Sequence, residues 1–166
     1  MIFVTVGSRA YPFDRLFKKL DALYDEGILT EEMFAQIGTS AYKPRNYAYT
    51  TYLQPDEFHK RIEEADIIVS HGASGTIMQA LNAGKKVIAV ARLQKYKEHM
   101  NDHQIQNNEA LSAGNYILMA DPEMENLAEC FEKIYTGTDG IVPWKNEDPM
   151  AILNRIDAFI QENWHP

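Results

Sequence analysis

Asp66-Ile67-Ile68-Val69-Ser70-His71-Gly72-Ala73-Ser74-Gly75-Thr76 is the stretch on which the fold turns. Asp66 to Ser70 is short, continuously apolar at its centre and led by β-branched residues, the pattern of a strand buried on both faces of a parallel sheet. His71 to Gly75 reads as a turn. Thr76 to Ala83 then reads as a helix that places Ile77, Ala80, Leu81 and the following Gly84 on one face. Strand, glycine-containing turn and amphipathic helix in that order open a βαβ unit.

Similar units lie on either side. Upstream, Pro55 suits a first helical turn, and Phe58, Ile62 and Ala65 carry the apolar stripe of a helix that leads into the strand. Met1 to Val6 is a short apolar strand that runs into Gly7-Ser8-Arg9. Phe13 to Tyr24 follows as a helix with Phe13, Leu16, Phe17, Leu20, Leu23 and Tyr24 on its buried face. Met33 to Ile37 is a further strand ended by Gly38, and Tyr47 to Leu53 is either a strand or an extended connection. Downstream, Val87 to Ala91 is a buried strand and Arg92 to Asn101 is polar and irregular. A helix over Asp102 to Ala113, a strand over Tyr116 to Met119 and a helix over Glu123 to Tyr135 complete the pattern.

Thr136 to Glu147 reads as a connector, and Asp148-Pro149 caps a last helix with a stripe of Ile152, Leu153, Ile156, Phe159 and Ile160. That stripe suits either a partner surface or this chain's own sheet. The sum is an α/β fold with one doubly wound, mostly parallel, Rossmann-like sheet. Residues 1–135 form the ligand-binding domain, and residues 136–166 form a connector and C-terminal helix of the same domain.

Composition narrows the function classes. With 166 residues, 45% hydrophobic and 24% charged, the chain buries enough surface to fold without a disulfide or metal. Cys130 is the one cysteine, which suits a reducing compartment. No apolar run approaches the ~18 residues of a membrane span, and the first residues lack the pattern of a signal peptide, so a cytoplasmic protein is expected. The net charge of −8 argues against a nucleic-acid partner while leaving room for one basic pocket that takes a small phosphorylated ligand.

Parallel α/β sheets bind ligands at the carboxyl ends of their strands, so the strand-to-helix turns hold the candidates. Gly7 and Ser8 form one such turn. A glycine there lets the chain bend closely, and the free N–H groups at a helix start receive anions, although a plain βα turn also explains a single glycine. The sequence has no G-x-G-x-x-G, which leaves a dinucleotide cofactor without support.

The second turn, His71-Gly72-Ala73-Ser74-Gly75-Thr76, combines two glycines, small residues, two hydroxyls and a histidine. Such a nest suits a phosphate or diphosphate, with His71 placed to donate to one of its oxygens. Its clustered small polar residues exceed what a helix cap needs. Gln79 shares a helix face with Thr76 and lies within reach of a ligand over the first turn. The third element is His99-Met100-Asn101-Asp102-His103-Gln104. His99 and His103 have i, i+4 spacing, but there is no H-E-x-x-H and no cysteine partner, so a metal is not expected. Asp102 suits a helix N-cap that also accepts from sugar hydroxyls, and Gln104 offers both a donor and an acceptor.

On these residues the sequence resembles the carboxy-terminal half of glycosyltransferase family 28. More narrowly it is similar to the small catalytic subunits of two-part UDP-GlcNAc transferases and their bacterial homologues of capsule and exopolysaccharide synthesis. The resemblance begins with Phe3-Val4-Thr5-Val6-Gly7 and Pro12-Phe13, continues through Gln36-Ile37-Gly38 and is densest from Ala65 to Leu111.

It implies the donor-binding half of a GT-B glycosyltransferase. In that family His71 would contact the donor diphosphate, Ser74, Gly75 and Thr76 would hold phosphate oxygens, and Asp102 with Gln104 would face the sugar; His103 stands between them. Two departures stand out. Gln79 occupies the position of the acid that takes the ribose hydroxyls, and the family's His-x-Gly order becomes His71-Gly72-Ala73. The resemblance implies an inverting, UDP-sugar-dependent hexosyltransferase with no metal or other cofactor. It further implies a membrane-associated partner subunit that binds the acceptor, a lipid-linked saccharide as that acceptor, and a place at the inner membrane face through the partner. The alternative is a non-catalytic nucleotide-binding accessory subunit of a membrane glycosyltransferase.

Overall fold

Ile2–Thr5 (β1) is buried along its whole length and forms the centre of the sheet. The computed structural model describes residues 1–99, 103–144 and 149–164. Six strands pair in the order β3-β2-β1-β4-β5-β6, with β2 Met33–Gln36, β3 Ala48–Thr50, β4 Ile67–Ser70, β5 Lys86–Ala89 and β6 Leu118–Met119. Every pairing is parallel. The order reverses direction between β1 and β4, which is the switch point where open α/β sheets form their ligand crevice. Thr5 is in register with Gln36 on one side and Ser70 on the other, and Ser70 with Ala89, so the carboxyl ends of the central strands finish level at that crevice.

Strand alternation explains why helices cover both faces. Ile2, Val4, Ile67, Val69, Ile88 and Val90 point into one core, where helix α1 (Asp14–Asp25) brings Leu16, Phe17 and Leu20 and helix α5 (Leu127–Tyr135) brings Leu127 and Phe131. Phe3, Ile68, Val87 and Ala89 point into the other. There they meet Ile62 of α2 (Pro55–Glu64), Ile77 and Ala80 of α3 (Ser74–Asn82) and Leu111 of α4 (His103–Ala113). The last helix, α6 (Pro149–Asn163), packs on α4 and adds Ile156 to this second core, with Ile160 half-buried against it. The structure thus turns the Ile156 edge of the stripe toward its own domain. Ile152 and Leu153, which the sequence assigns to the same stripe, lie outside the residues whose side chains are described.

Several boundaries differ from the sequence reading: β3 is shortened to Ala48–Thr50 within 47–53 and β6 to Leu118–Met119 within 116–119, and two helix starts move for a local reason. Helix α3 begins at Ser74, two residues early, because Ala73 takes the extended cap position. Helix α5 begins at Leu127 and not Glu123. The Asp121 carboxylate accepts from the N–H groups of Glu123, Glu125 and Asn126, and Met124 turns left-handed, so that stretch is a turn. The polar stretch after β5 contains a short 3₁₀ turn, Gln94–Tyr96. Residues 136–144 run across the amino end of the sheet. There the Val142 N–H donates to the Asn115 carbonyl, the Trp144 indole N–H donates to Asn82, and Lys86 pairs with Asp139 at 3.1 Å. No helix among the described residues is long and apolar enough to cross a membrane.

Candidate functional site

The β1 and β4 turns face one another across the switch point and line one cleft of about 410 Å³. Gly7 closes β1 with φ +73, and a Cβ there would lie 2.8 Å from Cε1 and 3.0 Å from Nε2 of His71. Both the backbone angle and the neighbouring ring therefore require glycine at this position. Gln36, at the end of β2, fixes the turn. Its amide donates to the Gly7 carbonyl at 3.1 Å and accepts from the Leu53 N–H at 3.0 Å, tying three strand ends together.

His71 is 5% exposed. Its Nδ1 lies 3.3 Å from the Thr5 carbonyl, which can only accept, so Nδ1 carries the proton. Burial pushes the imidazole pKa down to about 3. Arg92 adds to that shift, the Thr5 bond opposes it, and His99 and Arg9 act in the same direction as burial. The ring is neutral at pH 7, and Nε2 keeps a lone pair.

Gly72 follows with φ +91, and a Cβ there would lie 2.5 Å from the Asn108 amide oxygen. Asn108 comes from α4, is fully buried, and neither of its amide atoms has a hydrogen-bond partner among the described residues. Helix α3 then starts behind Ala73 with no side chain capping it. Its first intrahelical bond runs from the Ile77 N–H to the Ala73 carbonyl at 3.1 Å. The N–H groups of Ser74, Gly75 and Thr76 are the unmatched donors of a helix start, and all three residues line the cleft. Alanine is about 1 kcal/mol worse than serine or aspartate at a helix cap. The chain itself leaves these donors open.

Positive charge gathers at the same place. Arg9 lines the cleft. Arg92 is fully buried and donates from Nη2 to the Tyr11 carbonyl at 2.8 Å. Burial lowers its pKa to about 10, with Glu98 opposing, and it remains charged at pH 7. The segment that brings His99 to the rim is clamped to α1: Arg15 Nε and Nη2 donate to the Glu98 carboxylate at 2.6 and 3.0 Å, and Nη2 also donates to the Ala91 carbonyl. The same carboxylate accepts from the Leu93 N–H. The His99 ring lies 5.3 Å from that of Tyr11.

Of the residues singled out in the sequence, Gly7, Ser8, His71, Gly72, Ala73, Ser74, Gly75 and Thr76 all line this cleft. Gln79 does not: it is exposed one turn further along α3. Asp102 lies outside the described residues. His103 and Gln104 open α4, and their side chains lie outside them. Arg9, His99 and Asn107 also line the cleft. The sequence reading names Arg9 only as part of a turn, places His99 in an element that can face the crevice but gives it no role beyond a metal ligand that it does not expect, and passes over Asn107. It likewise gives Gln36 no task, although a polar residue at the end of an otherwise apolar strand is a visible signal. Among the described residues no three His, Cys, Asp or Glu side chains gather in metal-binding range.

A cleft at the switch point, with open helix-start donors, Arg9 on its wall, a buried histidine and the buried Arg92 near enough to shift that histidine, has the chemistry that suits an anion of phosphate type. The chain is 27% identical over 114 residues to the human UDP-N-acetylglucosamine transferase subunit ALG13, a match that covers 63% of this chain and 10% of that protein. This chain spans about a tenth of that relative's length. Among solved structures it superposes on the glycotransferase of kitacinnamycin with a TM-score of 0.60 at 18% identity, covering 97% of this chain and 38% of that one. It superposes on MurG of Acinetobacter baumannii with a TM-score of 0.58 at 16% identity, covering 95% of this chain and 49% of that one. These likenesses show the fold, the Rossmann-like half of the GT-B architecture. The glycosyltransferase family 28 C-terminal domain model matches residues 1–145 of the 166, with this sheet order and this cleft inside the match, and the chain belongs to that family.

Proposed function

We propose that this chain is the donor-binding subunit of a two-component glycosyltransferase, which holds a UDP-sugar by its diphosphate in the β1–β4 cleft. The observation that carries the reading is the uncapped start of α3, whose Ser74, Gly75 and Thr76 N–H groups open into the cleft between His71 and Gly7. Arg9 and the buried Arg92 supply the charge that the rest of a −8 chain lacks. Preorganised donors of this kind favour the diphosphate most as it leaves, and removing one costs roughly 3–4 kcal/mol in comparable sites. No metal or other cofactor enters the proposal, because helix-start donors and arginines take the place of a cation on the leaving group.

The reaction is inverting transfer of a hexosyl group to a hydroxyl of a lipid-linked saccharide, as in capsule or exopolysaccharide synthesis. A partner subunit at the cytoplasmic membrane face brings the acceptor and the general base. Asp102, His103 and Gln104, which follow the His99 rim, are proposed to meet the sugar, and Gln79 to approach the ribose if the ligand extends along α3. The relative that is itself a transferase subunit supports the two-component form.

A second reading, a nucleotide-binding accessory subunit without catalysis, is favoured by the position of Gln79, which is exposed and outside the cleft. Calorimetric titration of UDP into the chain tests the donor site. Transfer from a UDP-sugar to a lipid acceptor, with and without the partner subunit, separates the two readings. Transfer that requires this chain and fails in a His71 or Thr76 variant supports the first, whereas transfer by the partner alone supports the second.

A further inference from the structure

We propose that a diphosphate entering this cleft brings one proton with it, taken up at Nε2 of His71, so that the anion is held by an imidazolium. The proposal rests on the diphosphate reading of the cleft and adds to it a proton that the free chain does not carry. Its basis is geometric. Nδ1 is committed to the Thr5 carbonyl at 3.3 Å and must be the protonated nitrogen. The opposite edge of the ring, Cε1 and Nε2, lies against Gly7, and both residues line the cleft. In the neutral ring that edge presents a lone pair. A phosphate oxygen also has only lone pairs, so the two repel until Nε2 gains a proton.

The groups that face the imidazole explain both states. Thr5 on β1 offers its carbonyl. Arg9, from the loop after β1, and Arg92 and His99, from the segment after β5, are basic side chains that disfavour a proton on the ring, and no carboxylate is among the groups that shift it. In the free chain, burial and two arginines keep the ring neutral. A bound diphosphate reverses the sign of that field: it adds at least two negative charges beside the ring and pairs with Arg9, which lines the cleft and opposes protonation in the free chain. The competing arrangement keeps Nε2 neutral as an acceptor from a ligand hydroxyl, and it requires no proton.

The experiment is titration calorimetry of UDP into the intact chain at pH 7 to 8.5, in buffers of different ionisation enthalpy, with wild type and His71→Gln. Glutamine keeps a neutral donor in place of the ring, and this range lies above the pKa of about 6 of a terminal phosphate. The expected result is about one more proton taken up per UDP by wild type than by His71→Gln near pH 7. Wild-type affinity should fall about tenfold per pH unit up to the bound-state pKa and level off above it, with a flatter profile throughout in the variant. Equal proton counts and equal slopes overturn the proposal while leaving the diphosphate site standing. Failure of UDP to bind wild type overturns both. If His71→Gln does not fold, NMR of the His71 ring in wild type decides: conversion to the imidazolium form on adding UDP at pH 7 is expected, and a ring that stays neutral overturns the proposal.

Discussion

The two helices that follow the central strands begin in opposite ways. Neither start has a side-chain cap, but the start of α1 is tied to the loop after β2: the Phe13 N–H donates to Ser40 Oγ at 2.9 Å, and Asp14 at the first helical position accepts from the Tyr42 N–H at 2.8 Å. Arg15, one residue further, clamps the segment after β5 through Glu98. The start of α3 has none of this. Ala73 stands at its cap, two glycines lie in its turn or first turn, and its leading N–H groups face an open cleft. Both helices carry good apolar faces, so packing does not explain the difference. A helix start tied to neighbouring loops serves stability, and one left untied at the switch point serves a ligand.

Breaking the closed side should have the largest effect. Arg15→Ala leaves Glu98, 4% exposed, as a buried carboxylate without its ion-pair partner, and a loss of about 3 kcal/mol in unfolding free energy is expected. Chemical denaturation reads this directly, and a loss below about 1 kcal/mol would show that the clamp is incidental.

Closing the open side is the converse. Ala73→Asp supplies the missing cap and places a carboxylate where the diphosphate belongs. The free chain should gain about 1 kcal/mol, or roughly 2–4 °C in Tm, while UDP affinity falls about a hundredfold. A variant that gains stability and keeps its affinity would place the ligand elsewhere.

The pH dependence of stability isolates His71 between those two sides. Its pKa is lowered from 6.5 to about 3 on folding, so the unfolded chain binds the proton more readily between those values. The contribution is fully present above pH 6.5 and is lost as pH falls toward 3, at up to about 1.4 kcal/mol per unit. From pH 6.5 to 5, wild type should therefore lose about 1.6 kcal/mol relative to His71→Gln in denaturation titrations, and parallel curves would contradict the buried neutral ring. The smallest change expected is from Thr76→Ala, which removes one hydroxyl at a half-buried position: about tenfold in UDP affinity with melting nearly unchanged.

The same contrast explains what the sequence reveals. Elements whose identity depends on burial are legible because their pattern is local. Ile67-Ile68-Val69 reads as a two-sided buried strand, and the spacing of Leu16, Leu20 and Leu23 reads as a helix face. The open turn is legible because small polar residues and glycines cluster there beyond need. The groups that hold the site in place are not. Arg15 and Glu98 are far apart in sequence, and the Gln36 bridge joins turns of three different strands. Neither leaves a local period or motif that names its partners, although the polar Gln36 at the end of an apolar strand is itself a visible signal. The sequence places the start of α3 two residues late because alanine is a poor cap, and its presence there makes sense only with the cleft in view.

The most direct test of the open helix start is a UDP titration of the ¹⁵N-labelled, 19.0 kDa chain followed by amide chemical shifts. The account predicts that the largest perturbations fall on the N–H groups of Gly7, Gly72, Ser74, Gly75 and Thr76, with residues 136–144 at the opposite end of the sheet unmoved. Shifts centred instead on the α4–α6 groove beside Phe159, or no shifts at millimolar UDP, would contradict it.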